Sequence, residues 1–181
     1  MPPARAAVLP AIHGDLVYTW DAEGRLHALG LADGAEAWTW DPRDIIENEW
    51  EIEILIVGAP ALVDGQLIAL MAGRARSVVA LDPESGKLLW HRPWESSTVS
   101  PFLLVTQQLD GGRVLVRSGG LAVCMSVEDG RELWSASVKE LAGLSFTTNL
   151  LAIARRGGSI TIIDTDLGEV VAGFEDIGVG A

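Results

Sequence analysis

Ala80-Leu81-Asp82-Pro83-Glu84-Ser85-Gly86-Lys87-Leu88-Leu89-Trp90 is the stretch that decides the fold, because the chain repeats its pattern three more times. Ala28-Leu29-Gly30 is followed by Gly34 and Trp38, Cys124-Met125-Ser126 by Gly130 and Trp134, and Ile162-Ile163-Asp164 by Gly168 and Ala172. The turn glycines stand roughly 40 to 50 residues apart, a period that accommodates one four-stranded β unit. The chain therefore reads as an array of similar units.

Upstream of each copy lies a second shared element, a turn leading into an apolar run. These are Gly14-Asp15 before Leu16, Asp64-Gly65 before Gln66, Gly111-Gly112 before Arg113, and Thr148-Asn149 before Leu150. Glycine reaches positive φ without a Cβ clash, so Asp-Gly and Gly-Gly suit tight hairpins. The second unit then reads as a meander of Ala59 to Val63, Leu67 to Met71, Ser77 to Leu81 and Lys87 to His91. Its apolar runs are continuous rather than alternating, which predicts strands buried on both faces. No long stretch shows helical periodicity.

These copies resemble the tryptophan-docking motif of β-propeller repeats of the pyrroloquinoline-quinone (PQQ) enzyme type, over most of Asp15 to Phe174. The resemblance implies an all-β propeller segment of four four-stranded blades, at about residues 7–40, 55–94, 99–138 and 144–175, forming roughly half a ring. In that family the outer-strand tryptophan packs on the glycine turn of the next blade. Trp38, Trp90 and Trp134, with Gly34, Gly86, Gly130 and Gly168, are by this resemblance structural anchors between blades. Physical chemistry agrees, since an indole buries a large apolar area and its N–H needs one acceptor, which a neighbouring turn carbonyl can supply. The departures are Gly30 for aspartate, Cys124-Met125-Ser126 for Ala-Leu-Asp, and Ala172 for tryptophan. Worn terminal copies are expected of a repeat array, whose end units meet something other than a standard neighbour.

Propellers of this family close with about seven or eight blades, so four would leave two apolar blade faces uncovered. A second copy closing an eight-bladed ring, a different polypeptide, a small four-bladed ring, or a longer parent chain would each resolve this. Completion by another copy or another chain is the expectation, a twofold axis being the commonest oligomer symmetry.

Among the 181 residues 49% are hydrophobic and 21% charged, as in a folded chain with a substantial core. The formal net charge of −12 sets a field that repels phosphate backbones, so nucleic acid is a poor partner. Cys124 is the single cysteine and reads as a small core residue. No apolar run reaches the roughly 18 residues of a membrane-spanning helix. Near the start, Pro10 interrupts Ala6-Ala7-Val8-Leu9 well short of a signal-peptide core. The expectation is a cytoplasmic location, with an extracytoplasmic one after removal of a leader as the alternative.

Candidate catalytic groups are sparse. His13, His27 and His91 fall in different units without metal-ligand spacing and read as turn or strand-surface residues. Ser96, Ser97 and Ser100 lack a nucleophile elbow and read as loop. Gly119-Gly120 and Gly157-Gly158 are hairpin glycines without the Lys-Ser/Thr of a phosphate loop. The quinoprotein dehydrogenases that share this repeat hold calcium with acidic and amide side chains, use a catalytic aspartate and often carry a vicinal disulfide; this chain has no cysteine pair.

One stretch stands outside the repeat, the acidic insertion of residues 41–54. As a strand it would place Glu47, Glu49, Glu51 and Glu53 on one face and Trp50, Ile52 and Ile54 on the other. Carboxylates on an edge strand discourage unwanted pairing. Such a face could also meet a basic partner or a divalent cation, with Trp50 as anchor and Trp94 as a second candidate contact. The expected function is a non-catalytic scaffold for protein–protein interaction that takes no cofactor. The alternative is part of a quinone- or small-ligand-binding propeller whose site forms only in a complete ring.

Overall fold

The computed structural model describes residues 10–45, 54–56, 59–73, 77–93, 106–109, 111–118, 120–147 and 149–175. The described residues build four antiparallel meanders in sequence order. Sheet one contains β1 (Ala11–His13), β2 (Leu16–Trp20), β3 (Leu26–Gly30) and β4 (Glu36–Trp40). Sheet two contains β5 (Ile54–Ile56), β6 (Ala61–Val63), β7 (Gln66–Gly73), β8 (Ser77–Leu81) and β9 (Leu88–Pro93). Sheet three contains β10 (Thr106–Leu109), β11 (Arg113–Ser118), β12 (Leu121–Ser126) and β13 (Glu132–Ser137). Sheet four contains β14 (Leu141–Phe146), β15 (Leu150–Arg155), β16 (Ile160–Asp164) and β17 (Val170–Phe174).

Sheet two differs from the simple meander. The eight-residue β7 is longer than β6, which pairs only with its first part, Ala61 opposite Ile68 and Val63 opposite Gln66. The far end of β7 is paired instead by β5, Ile54 opposite Gly73 and Ile56 opposite Met71. Ile54, read as the end of the insertion, thus belongs to the sheet. Nearer its start the insertion forms a short 3-10 turn over Pro42–Ile45.

All four sheets carry a register shift at the same repeat position, after Ala28, Ala80, Cys124 and Ile162. A bulge of this kind adds local twist and re-aims the side chains beyond it. Just before it, a small residue faces the tryptophan of the next strand: Ala28 opposite Trp38, Ala80 opposite Trp90 and Cys124 opposite Trp134. Sheet four reverses the sizes, with Ile162 opposite Ala172.

The core lies in three seams between consecutive sheets. Tyr18, Trp20, Leu26, Ala28, Trp38 and Trp40 of sheet one cluster with Leu67, Ala69, Met71, Val79 and Leu81 of sheet two. Ile68, Leu70, Val78 and Ala80, the intervening residues of sheet two, cluster with Val114, Val116, Val123 and Met125 of sheet three. Leu115, Ala122, Cys124 and Trp134 of sheet three then cluster with Leu151, Ile153 and Ile163 of sheet four. Side chains alternate across a strand, so β7, β8, β11 and β12 serve two neighbours at once, which is why their sequences read as unbroken apolar runs.

Candidate assembly interface

Each internal seam is fastened by an indole. Trp38 Nε1 donates to the Pro83 carbonyl at 2.9 Å, Trp90 Nε1 to the Val127 carbonyl at 2.8 Å, and Trp134 Nε1 to the Thr165 carbonyl at 2.9 Å. The acceptor always precedes the turn glycine by three residues. That glycine lies under the ring: an added Cβ would come within 2.6 Å of Trp38 at Gly86, 2.5 Å of Trp90 at Gly130 and 2.4 Å of Trp134 at Gly168. All three glycines have φ near +70°, a conformation other residues adopt at a cost. Both the turn and the close approach therefore require glycine.

Other side chains reinforce these seats. The Tyr18 hydroxyl donates to Pro83 O at 3.2 Å while its ring packs on Trp38 at a centroid distance of 5.9 Å. Gln66 Oε1 accepts a second contact from Trp90 Nε1 at 3.1 Å. Arg113 reaches across the third seam, Nη1 to Thr165 O at 2.7 Å and Nη2 to Asp166 at 2.5 Å. Sequence reasoning missed Tyr18, Gln66 and Arg113; Gln66 and Arg113 each directly follow a hairpin turn, a shared position that could have flagged them.

The Gly34 turn has the same build. Its φ is +68°, Gly34 N–H donates to Gly30 O, and Leu31 N–H donates to Asp15 O, as Val127 does to Gly112 and Thr165 to Asn149. Yet a Cβ at Gly34 would meet nothing within 4 Å among the described residues. Here Gly30 replaces the turn aspartate, and the Asp33 carboxylate occupies the space a Gly30 Cβ would need. That carboxylate caps Ala35 N–H at 3.0 Å, whereas Asp82 and Asp164 cap their own turns.

The two end faces follow from the register. In sheet one Val17, Thr19, His27 and Leu29 point away from sheet two, at the positions held in sheet two by Leu67, Ala69, Val79 and Leu81. The middle of this face is polar: His27 Nε2 lies 2.9 Å from Asp21 and His27 Nδ1 lies 2.9 Å from Glu36 and 2.8 Å from Thr39 Oγ1. Burial opposes a charge on His27, but the bonds to Asp21 and Glu36 outweigh it and raise its pKa above the ordinary 6.5. Asp21 is also disfavoured as an anion by burial, yet its bonds from His27 and Arg25 hold it well below the usual carboxylate range. The opposite end, on sheet four, is apolar: Ala152, Ala154, Ile160, Ile162 and Ala172 face outward with Phe174, which is 50% exposed.

The remaining candidates are scattered. Glu47, Glu49, Trp50, Glu51, Glu53, Trp94, Ser96, Ser97 and Ser100 lie outside the described residues. His13 and His91 are exposed on β1 and β9, in different sheets. Gly157-Gly158 lies in the turn joining β15 to β16, and Gly120 in the one joining β11 to β12. Cys124 is fully buried, and burial pushes its thiol up to about 11. Among the described residues no group of three or more His, Cys, Asp or Glu side chains is arranged to hold a metal ion. No helix among them is long and apolar enough to cross a membrane.

Comparison with known proteins places this geometry. The quinoprotein alcohol dehydrogenase PedH of Pseudomonas putida is 36% identical over 87 residues, which cover 46% of this chain and 14% of that enzyme. BamB of Moraxella catarrhalis superposes with a TM-score of 0.65 at 20% identity, covering 95% of this chain and 49% of BamB. The quinohemoprotein alcohol dehydrogenase of Comamonas testosteroni gives 0.67 at 15% identity, covering 93% of this chain and 34% of the enzyme. These structural likenesses establish a β-propeller fold, of which the chain spans half or less of each relative, and no closed ring forms among the described residues. The model of the PQQ-repeat family described as outer membrane protein assembly factor BamB matches residues 2–155, and the chain belongs to that family.

Proposed function

We propose that this chain is a non-catalytic β-propeller segment that scaffolds protein–protein assembly and is completed into a ring by a further polypeptide or a second copy. The observation that carries this reading is the pair of sheet faces, on sheets one and four, that no described element covers. Ile160 and Ile162 at one end, and Val17 and Leu29 at the other, occupy positions that inside the chain are buried in a seam. Apolar faces of this kind on a soluble protein mark contact sites. Family membership supports the same reading, since the family is described by an assembly factor. The acidic run Glu47, Glu49, Glu51 and Glu53, with Trp50 and Trp94, is proposed as a further contact surface for a basic partner.

A second reading has its own support in the 36% identity to the quinoprotein alcohol dehydrogenase PedH. Under it, the chain contributes half of a quinone- or small-ligand-binding propeller. Calorimetric titration with PQQ and calcium tests the choice. The scaffold reading expects no heat of binding; saturable binding would replace it with the second reading.

A further inference from the structure

We propose that a cleft on the outer wall of the seam between sheets two and three docks a peptide segment of a protein partner, holding one aromatic side chain flanked by an acidic and a basic neighbour. This rests on the scaffold reading above and adds a contact surface between two described sheets, away from the faces of sheets one and four.

The three seams are built alike, so the residue that each places two positions beyond its docked tryptophan is directly comparable. It is Trp40 opposite Leu26 in the first seam, Arg92 opposite Val78 in the second and Ala136 opposite Ala122 in the third. Trp40 fills the outer end of its seam, buried in the cluster that holds Val79 and Leu81, with its ring 6.5 Å from that of Trp20. In the third seam Arg155 spans the equivalent space, from Thr161 Oγ1 at 2.7 Å to Ser137 O at 3.1 Å. Among the described residues neither device closes the second seam. The stem of Arg92 turns aside onto Gly130, where an added Cβ would come within 2.8 Å of its Cγ. A cleft of about 610 Å³ remains, floored by Leu121, Val123 and Met125 of β12. Clefts that hold ligands run from about 300 to 1,000 Å³.

The charges at the rim define the occupant. Asp129 already accepts the Arg131 N–H at 3.0 Å with the Arg131 guanidinium 3.9 Å away, and Arg92 exerts the weakest of the attractions on it. Arg92 at the end of β9 and Glu132 at the start of β13 are both exposed, and neither enters a salt bridge among the described residues. A segment lying across the cleft therefore meets a cation on one wall, an apolar floor, and an anion on the other wall. An apolar seat inside a charged rim is the anatomy of an interface hot spot, where aromatic residues are the usual anchors. The first seam shows that a ring fits, since an indole fills the equivalent volume there. The complementary segment presents a ring to Leu121 and Val123, a carboxylate to Arg92 and a cationic side chain to Glu132.

Short capped peptides with a central tryptophan test this by calorimetric titration into the whole chain. One carries an aspartate and a lysine on either side of the ring, a second has two lysines, and a third replaces the tryptophan of the first with alanine. We expect the first to bind at least about tenfold tighter than the third, as for an anchor residue. Arg92→Glu should turn the preference by about threefold or more toward the peptide with two lysines, the size of effect that rim charges have. Leu121→Trp, which fills the cleft from within as Trp40 fills the first seam, should abolish binding. Equal affinity for the first and third peptides, an unchanged preference in Arg92→Glu, or no binding at millimolar peptide would overturn the proposal.

Circular dichroism checks that the variants fold. Should Leu121→Trp not fold, amide shifts in the isotope-labelled wild-type chain replace it: shifts centred on Leu121, Val123 and Glu132 support the cleft, and shifts centred elsewhere refute it. If Trp94→Ala raises the affinity for the first peptide, the cleft holds this chain's own indole and the proposal fails. None of these outcomes bears on PQQ binding, so the scaffold reading stands or falls separately.

Discussion

Trp90 and Val127, 37 residues apart in sequence, are joined by a 2.8 Å hydrogen bond from the indole Nε1 to the backbone carbonyl, across the seam between sheets two and three. The same bond recurs at Trp38–Pro83 and Trp134–Thr165, so the repeat in the sequence is a repeat of contacts between sheets.

Replacing Trp134 with alanine removes a ring that is 8% exposed and one of the two donors to the Thr165 carbonyl, leaving Arg113 Nη1 as the other. Loss of about 3 to 5 kcal/mol is expected. Trp134→Phe keeps most of the apolar contact and loses the N–H, at a smaller cost of about 1 to 3 kcal/mol. Urea unfolding of the two variants separates the contributions.

Gly168→Ala and Gly34→Ala form a matched pair, because φ is +73° at one and +68° at the other. At Gly34 only the backbone strain of about 1 to 2 kcal/mol is expected. At Gly168 the new methyl would lie 2.4 Å from Trp134 Cγ, which adds about 1 to 3 kcal/mol of overpacking. Equal melting shifts for the two would contradict the third seam as described.

His27 makes stability depend on pH. Its folded pKa is raised, so the stabilisation is fully present below the unfolded value of 6.5 and is lost as pH rises through the folded pKa. Asp21, held low, contributes above its unfolded value of 3.8 and loses that contribution as pH falls. Thermal melts of the wild type and His27→Gln should differ most between these limits and converge at alkaline pH. A constant difference up to pH 9 would rule out the ion pair as its source.

Cys124, buried and with its thiol pushed up to about 11, should react with a maleimide only as the chain opens. The labelling rate should rise with urea in step with unfolding. Rapid labelling of the native chain would place Cys124 outside the seam between sheets three and four.

Much of this architecture was legible before any coordinates. The unbroken apolar run Leu67 to Met71 announced two-sided burial, and the paired glycine and tryptophan positions announced a repeat. The division of Leu67, Ala69 and Met71 from Ile68 and Leu70 between two seams follows from strand periodicity alone. Other features were hidden because they depend on what a distant segment supplies. Nothing local to Gly34 says that no described ring lies over it, as one does at Gly86, Gly130 and Gly168. The exchange of sizes at Ile162 and Ala172 becomes visible only through their register, since the sequence shows two ordinary apolar residues. β5 escaped notice because it borrows its pairing edge from the excess length of β7.

The alternating allegiance of side chains in β7 and β12 also bears on how such a chain could have arisen. A sheet whose odd positions answer to one neighbour and whose even positions answer to the other carries half of each contact within itself. When the coding segment for such a sheet is duplicated in tandem, the new copy arrives already complementary to its parent on either side. Arrays of this type can lengthen or shorten by whole units, and individual copies are then free to diverge, as those that hold Gly30 and Ala172 have done.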